Sequence, residues 1–202
     1  MSKLPWDQRY AGDDYHFGTA PNAFLAAQKS RLPASGTALA VADGEGRNGV
    51  WLAEQGLDVL AVDSSAVGLA KGQRLAARRG VRIAPEQADL AQWAFGHERF
   101  DVIAAIFIQF ADPELRARLF DGMIAALKPG GLLLLEGYRP EQLAYGTGGP
   151  SEPANLYTEA LLREAFAPLE ILQLDSYDAR IEEGHGHAGL SALIDLVARK
   201  PA

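Results

Sequence analysis

Seven consecutive residues, Asp43-Gly44-Glu45-Gly46-Arg47-Asn48-Gly49, follow an apolar stretch and open a helical pattern. Glycine belongs where φ is positive or where a ligand must approach the backbone, and a helix start offers unpaired N–H groups. Together they describe a cradle for a nucleotide-type ligand. Asp63 ends the next apolar stretch, 17 residues after Gly46. A carboxylate there can accept both hydroxyls of a ribose, and Ser64 beside it belongs to the same contact. Asp89 follows a third stretch, where it can accept a hydrogen bond from an adenine amino group, with the Leu90 backbone alongside. GEGRNG also satisfies the GxGxxG pattern, which alone names no cofactor.

Acid–base chemistry has few candidates. His185 and His187 stand in EEGHGHAGL with Glu182 and Glu183 nearby. His-x-His also permits a metal reading, since it brings two imidazoles within reach of one ion. Against it, His16 and His97 are distant in sequence and the chain contains no cysteine. A polar loop with no chemical duty is the plain alternative. Nicotinamide chemistry is the first rival for the glycine turn. A short-chain dehydrogenase needs Tyr with Lys four residues on, but the residues four beyond the six tyrosines are Asp14, Thr19, Gln142, Gly149, Leu161 and Ile181. A redox enzyme is left without machinery.

The elements that must hold these residues alternate. Apolar runs suited to buried strands occur at 37–42, 58–62, 81–84, 100–107 and 131–136, with helical patterns at 46–55, 65–79 and from Pro113 to Leu127. Gly56 and Gly80 stop the first two helices, and Asp112 caps the third ahead of Pro113 at its first position. Strands apolar throughout and separated by helices predict a doubly wound α/β sheet covered on both faces. A helix is expected over 21–31 and another near 158–166. Closing strands at 169–177 and 191–199, joined without a helical pattern, predict an antiparallel pair.

At 202 residues the chain fits one domain, with residues 1–35 as a cover or lid carrying Trp6, Tyr10, Tyr15, Phe17 and Phe24. Trp6 and Tyr10 suit core packing as well as substrate contact, whereas Tyr15 and Phe17 suit a lid over the site. Trp93 reads as cover for the sheet edge. Arg47 and Asn48 read as holding the turn or a cofactor carboxylate, and Tyr138 and Arg139 lie where an acidic substrate can be met. With 26 Asp+Glu against 19 Lys+Arg, the net charge of −7 argues against a broad nucleic-acid surface. The densest basic run, Lys71 to Arg82, reads as a solvated helix face. Absence of cysteine excludes disulfides and thiolate nucleophiles and suits a reducing cytoplasm. No apolar run approaches the length of a membrane helix, and MSKLPWDQRY has no signal-peptide core. Oligomeric state is not legible.

GEGRN followed by WLAEQG, Asp63, Asp89-Leu90, the FDVI strand, LKPGG before GLLLLEGY, GTGGP before LYT and the closing LVARKP resemble, in order and spacing, one family. That family is the class I S-adenosylmethionine-dependent methyltransferases, and especially the small tellurite-resistance and thiopurine-type enzymes. The resemblance covers nearly the whole chain and implies a Rossmann-like sheet of seven strands with the last antiparallel. It implies S-adenosylmethionine as cofactor, with Gly44 and Gly46 at its methionine end, Asp63 and Ser64 at the ribose, Asp89 and Leu90 at the adenine, and Ile106 and Phe107 beside it near the substrate entrance. Tyr15, Arg47 and Asn48 join the cofactor set, and a small-molecule acceptor is expected. Three positions depart from the family: Ala40 replaces an acid, Ala42 a glycine, and Gln109 a residue often His. Asp43, where Cys is frequent, is expected to supply the carboxylate missing at Ala40. Gln109 and His187 are the candidate catalytic residues. A protein that binds the cofactor without catalysis is the second rival.

Overall fold

The computed structural model describes residues 6–184 and 186–202. Among these, seven strands form one sheet: β1 Gly36–Val41, β2 Leu57–Asp63, β3 Ala84–Gln87, β4 Phe100–Ile106, β5 Leu127–Tyr138, β6 Glu170–Glu183 and β7 His187–Arg199. Their order is β3-β2-β1-β4-β5-β7-β6. The first five strands pair in parallel, and β7 runs antiparallel to both of its neighbours. The helices are α1 Trp6–Arg9, α2 Ala23–Ala27, α3 Arg47–Glu54, α4 Ala66–Arg79, α5 Pro113–Ala126, α6 Gln142–Tyr145 and α7 Glu159–Ala165.

Strand β4 shows why its sequence is apolar throughout. Ile103 and Ala105 pack with Leu119, Phe120 and Met123 of α5, while Val102, Ala104 and Ile106 pack with Phe24, Leu25 and Leu52 of α2 and α3. Both faces are covered, so neither set of alternate residues is free to be polar. Chain order reverses between β1 and β4, which lie side by side at the centre. In open α/β sheets ligands bind outside the carboxyl ends of strands at such a switch point, and the residues singled out above cluster there.

Local signals set the helix ends. Ser65 caps α4 through its hydroxyl on the Gly68 N–H at 2.9 Å, and Gly80 ends it at φ +73°. Asp112 caps α5 on the Leu115 N–H at 2.9 Å, with Pro113 in the first position. Elsewhere the structure corrects the sequence reading. The third strand lies at Ala84–Gln87 rather than 81–84, because Val81 and Ile83 pack instead beside α3 and α4 while the polar APEQ forms the sheet edge. The helix expected over 21–31 is only Ala23–Ala27 followed by a 3-10 turn at Lys29–Arg31. Strands β6 and β7 extend into the expected 178–189 connection as a half-buried hairpin whose outer part has no apolar run to betray it. Among the described residues, no helix is long and apolar enough to cross a membrane.

Candidate active site

The glycine turn leaves β1 through Ala42 at φ +51° and continues with Gly44 at +57° and Gly46 at +88°. Ala42 holds a left-handed conformation that costs a non-glycine residue on the order of 1 kcal/mol or more. The two glycines have different reasons. A Cβ on Gly46 would lie 2.5 Å from the Gly72 Cα, so Gly46 permits close packing against α4; a Cβ on Gly44 would lie 2.7 Å from the Tyr10 hydroxyl. Asp43 is buried below the turn, and its Oδ1 accepts the Gly49 N–H at 3.0 Å. Its Oδ2 is buried without a hydrogen-bond partner. Burial, reinforced by the charge of Asp63 and opposed by the Gly49 bond, raises the Asp43 carboxyl to about 7.

Asp63 ends β2 with each oxygen accepting one backbone N–H, from Gly44 and from Ser65, both at 2.8 Å. A carboxylate has about four acceptor positions, so two bonds fix its place beneath the turn and leave capacity over. Burial raises its pKa against those bonds. Ser64 is exposed at the strand end. Asp89 is exposed past β3, its Oδ1 accepting the Ala91 N–H at 3.0 Å, and Leu90 is buried. Trp93 donates to Glu86 at 2.6 Å and packs on Phe95, which makes it a cover for this edge.

Beyond β4 the rings form a pile. Ile106 is buried and Phe107 adopts φ +54°, its N–H held by the Glu136 carbonyl at 2.8 Å. Phe107 stacks on Tyr138 at 4.7 Å and on His187 at 4.2 Å, and the far side of His187 stacks on Phe17 at 4.6 Å. The Tyr138 hydroxyl and His187 Nδ1 are 2.6 Å apart. Burial, followed by the charges of Arg47, His16 and Arg9, pushes the His187 imidazole down to about 3. It is neutral at any ordinary pH. His185 lies outside the described residues.

Residues 38–131 match the family model of a methyltransferase domain. That stretch, a little under half of the chain, is similar to a methyltransferase domain. S-adenosylmethionine is therefore the cofactor this site has to accommodate. No curated protein sequence proves similar, but solved structures do. One, from echinomycin biosynthesis, where a disulfide bond is converted into a thioacetal group, has TM-score 0.78 and 18% identity over 97% of this chain and 90% of that chain. TehB from Haemophilus influenzae has TM-score 0.70 and 19% identity over 96% of this chain and 65% of its own. A SAM-dependent methyltransferase from Methanosarcina mazei has 0.68 and 17% over 90% and 99%. At such identities the likeness is one of fold.

The orphaned Asp43 oxygen is an acceptor that a cation such as an α-ammonium group would satisfy. Several expected residues are engaged elsewhere. Gln109 does not offer its amide to an acceptor: it donates to the Tyr138 and Asn155 carbonyls and accepts the Tyr138 N–H at 2.6 to 3.0 Å. Tyr15 does not face the turn; its hydroxyl donates to the Lys71 carbonyl and receives a bond from Arg78. Arg47 pairs with Glu183 at 2.7 Å, and Asn48 accepts the Asn22 N–H at 3.0 Å, so both brace the turn. Arg139 is held by Asp178 and by the Leu193 and Tyr177 carbonyls.

Two further side chains pack against the turn: Tyr10, read from sequence as core packing or substrate contact, and Lys71, not read as functional at all. Tyr10 is buried between Gly44 and Gly68, stacked on Trp6 at 5.6 Å, with Asp63, Glu45 and Asp43 around it, and burial and those charges raise its pKa. Lys71, expected on a solvated face, is instead 2% exposed and paired with Glu45. Only the acidic residue between the glycines, a type that turn geometry does not require, hinted at a buried cation.

Proposed function

We propose that the protein transfers the methyl group of S-adenosylmethionine to a small-molecule acceptor: a thiol, a chalcogen oxyanion or a hydroxyl. The observation that carries it is the ring wall of Phe107, His187 and Phe17 standing at the end of β4 beside the glycine turn. The cofactor, when bound, supplies a methyl on a positively charged sulfur. Nucleophilic attack forms the new bond to that carbon as the carbon–sulfur bond breaks, and the sulfur leaves neutral. Alignment then provides most of the rate.

Asp43 would hold the α-ammonium, Asp63 and Ser64 the ribose, and Asp89 with Leu90 the adenine; the methionine end would lie at Gly44, on the side that Tyr10 covers. Ile106 and Phe107 bound the cofactor on the acceptor side. His187 touches the acceptor but is a poor base, because an imidazole pushed to about 3 holds a proton badly. Acceptors that arrive ionised need no proton removed.

Calorimetric titration with S-adenosylmethionine, S-adenosylhomocysteine and NAD tests the cofactor, with micromolar binding of the first two expected. Binding of NAD alone overturns the reading. A screen of thiols, phenols and chalcogen oxyanions for methylated product tests the acceptor; tight cofactor binding with no turnover on any of them favours a non-catalytic binding protein. The likeness to the [4+2]-cyclase SpnF, TM-score 0.70 at 18% identity, shows why fold alone leaves that step to experiment.

A further inference from the structure

Glu45, between the two glycines of the turn, is 3% exposed, and its Oε1 lies 2.7 Å from Nζ of Lys71 on α4. Burying two charges is costly unless each also satisfies its remaining hydrogen bonds, and such a pair contributes register more than stability. Here the remaining bonds go to one segment of chain. Glu45 Oε2 accepts the His16 N–H at 2.7 Å, and Lys71 Nζ donates to the Asp14 carbonyl at 2.7 Å. The Tyr15 hydroxyl donates to the Lys71 carbonyl at 2.9 Å. Residues 14–17 are thus fastened to the turn by the ion pair itself.

The same segment reaches the acceptor side. Phe17 forms the outer face of the ring wall on His187, and a Cβ on Gly184 of the β6–β7 turn would come within 2.6 Å of the Phe17 Cα. At its start, Asp7 accepts from the Ser65 hydroxyl at 2.5 Å and the Val67 N–H at 3.2 Å, beside Asp63. We propose that Glu45 and Lys71 are positioning residues: their buried pair straps residues 6–17 to the glycine turn, so that cofactor on the turn also sets the acceptor wall through Phe17. This rests on the cofactor reading above. The turn's own contacts, Gly44 to Asp63 and Asp43 to Gly49, use neither side chain, so the strap can be released while the turn persists.

Arg9 is exposed within the strap, which makes tryptic cleavage after it a direct readout of strap opening. In the unaltered protein S-adenosylhomocysteine is expected to slow that cleavage on the order of tenfold, a coupling of the usual size between two sites. In Lys71→Met and Glu45→Gln the protection should fall below about twofold, and, because the coupling is reciprocal, the dissociation constant for S-adenosylhomocysteine should rise by no more than about tenfold. The acceptor KM should rise more than the cofactor KM. Glu45→Gln keeps an acceptor for the His16 N–H and serves if Lys71→Met fails to fold, as melting temperature will show. Protection retained in the variants overturns the proposal, and so does an affinity loss far beyond that tenfold, which would make the pair a plain part of the turn. Should the unaltered protein bind no S-adenosylhomocysteine, the cofactor reading fails instead. The strap then stands or falls on whether the variants are cleaved faster than the parent.

Discussion

Asp43 sets stability against function in a single side chain. Its folded pKa of about 7 lies above the value of an unfolded aspartate, so its stabilising contribution is complete below about pH 4 and is lost as pH rises through 7. Asp43→Asn keeps the oxygen that caps α3 and removes the charge. Relative to the parent it should gain on the order of 2 to 4 kcal/mol between pH 4 and pH 8 in urea titrations. Affinity for S-adenosylmethionine should fall in the same variant, since the orphaned oxygen is where a cation is wanted. His187 gives a separate check. With its imidazole at about 3, His187 should contribute no step between pH 5 and 8, so the saturating rate on a thiol should keep the shape of its pH profile in His187→Ala. His187→Ala should lower turnover on hydroxyl acceptors and on thiols alike, as loss of part of the ring wall and not of a base. A step near pH 6.5 that His187→Ala abolishes, with a larger loss on hydroxyl acceptors, would restore the imidazole as a base.

Asn22 joins more elements than any cap requires. Its Oδ1 accepts the Leu25 N–H at the start of α2, its N–H donates to Asn48 of α3, and its amide donates to Glu136 of β5 and Glu183 of β6. Asn22→Ala removes a helix cap and the donor to a buried carboxyl, a loss of about 2 to 4 kcal/mol. Asn22→Asp keeps the cap but sets a third carboxylate against Glu136 and Glu183. It should therefore be the worse of the two at pH 8 and should recover toward pH 5, as melts of both variants can show. None of this was legible from the sequence, because Asn22 meets partners 26, 114 and 161 residues away. What sequence did reveal were elements whose signals are local: Ser65 and Gly80 around α4, Asp112 and Pro113 at α5, and the doubly covered apolar runs. It misplaced β3, a polar edge strand, and truncated the hairpin, whose outer strands pack on the aromatic segment rather than on a core.

Across the whole molecule, the turn was readable because its chemistry is contiguous, whereas the N-terminal cover and the buried Lys71 depend on the chain folding back over it. That folding also concentrates negative charge. Asp43, Asp63, Glu136 and Asp195 all have pKa values raised first by burial, Asp195 to about 6. Each contributes stability present at low pH and lost as pH rises through its folded value, so the unliganded protein should be less stable at pH 8 than at pH 5, with the loss concentrated between about 4 and 7. A bound α-ammonium reverses that slope at Asp43, because it prefers the carboxylate to the acid. The melting-temperature increase produced by a fixed excess of S-adenosylhomocysteine should therefore grow from pH 5 to pH 8, opposite to the trend without ligand. In Asp43→Asn the increment should be smaller and nearly flat with pH. An increment in the parent protein that does not change across this range would mean that the ammonium is held elsewhere, and that the unpaired oxygen of Asp43 serves the turn alone.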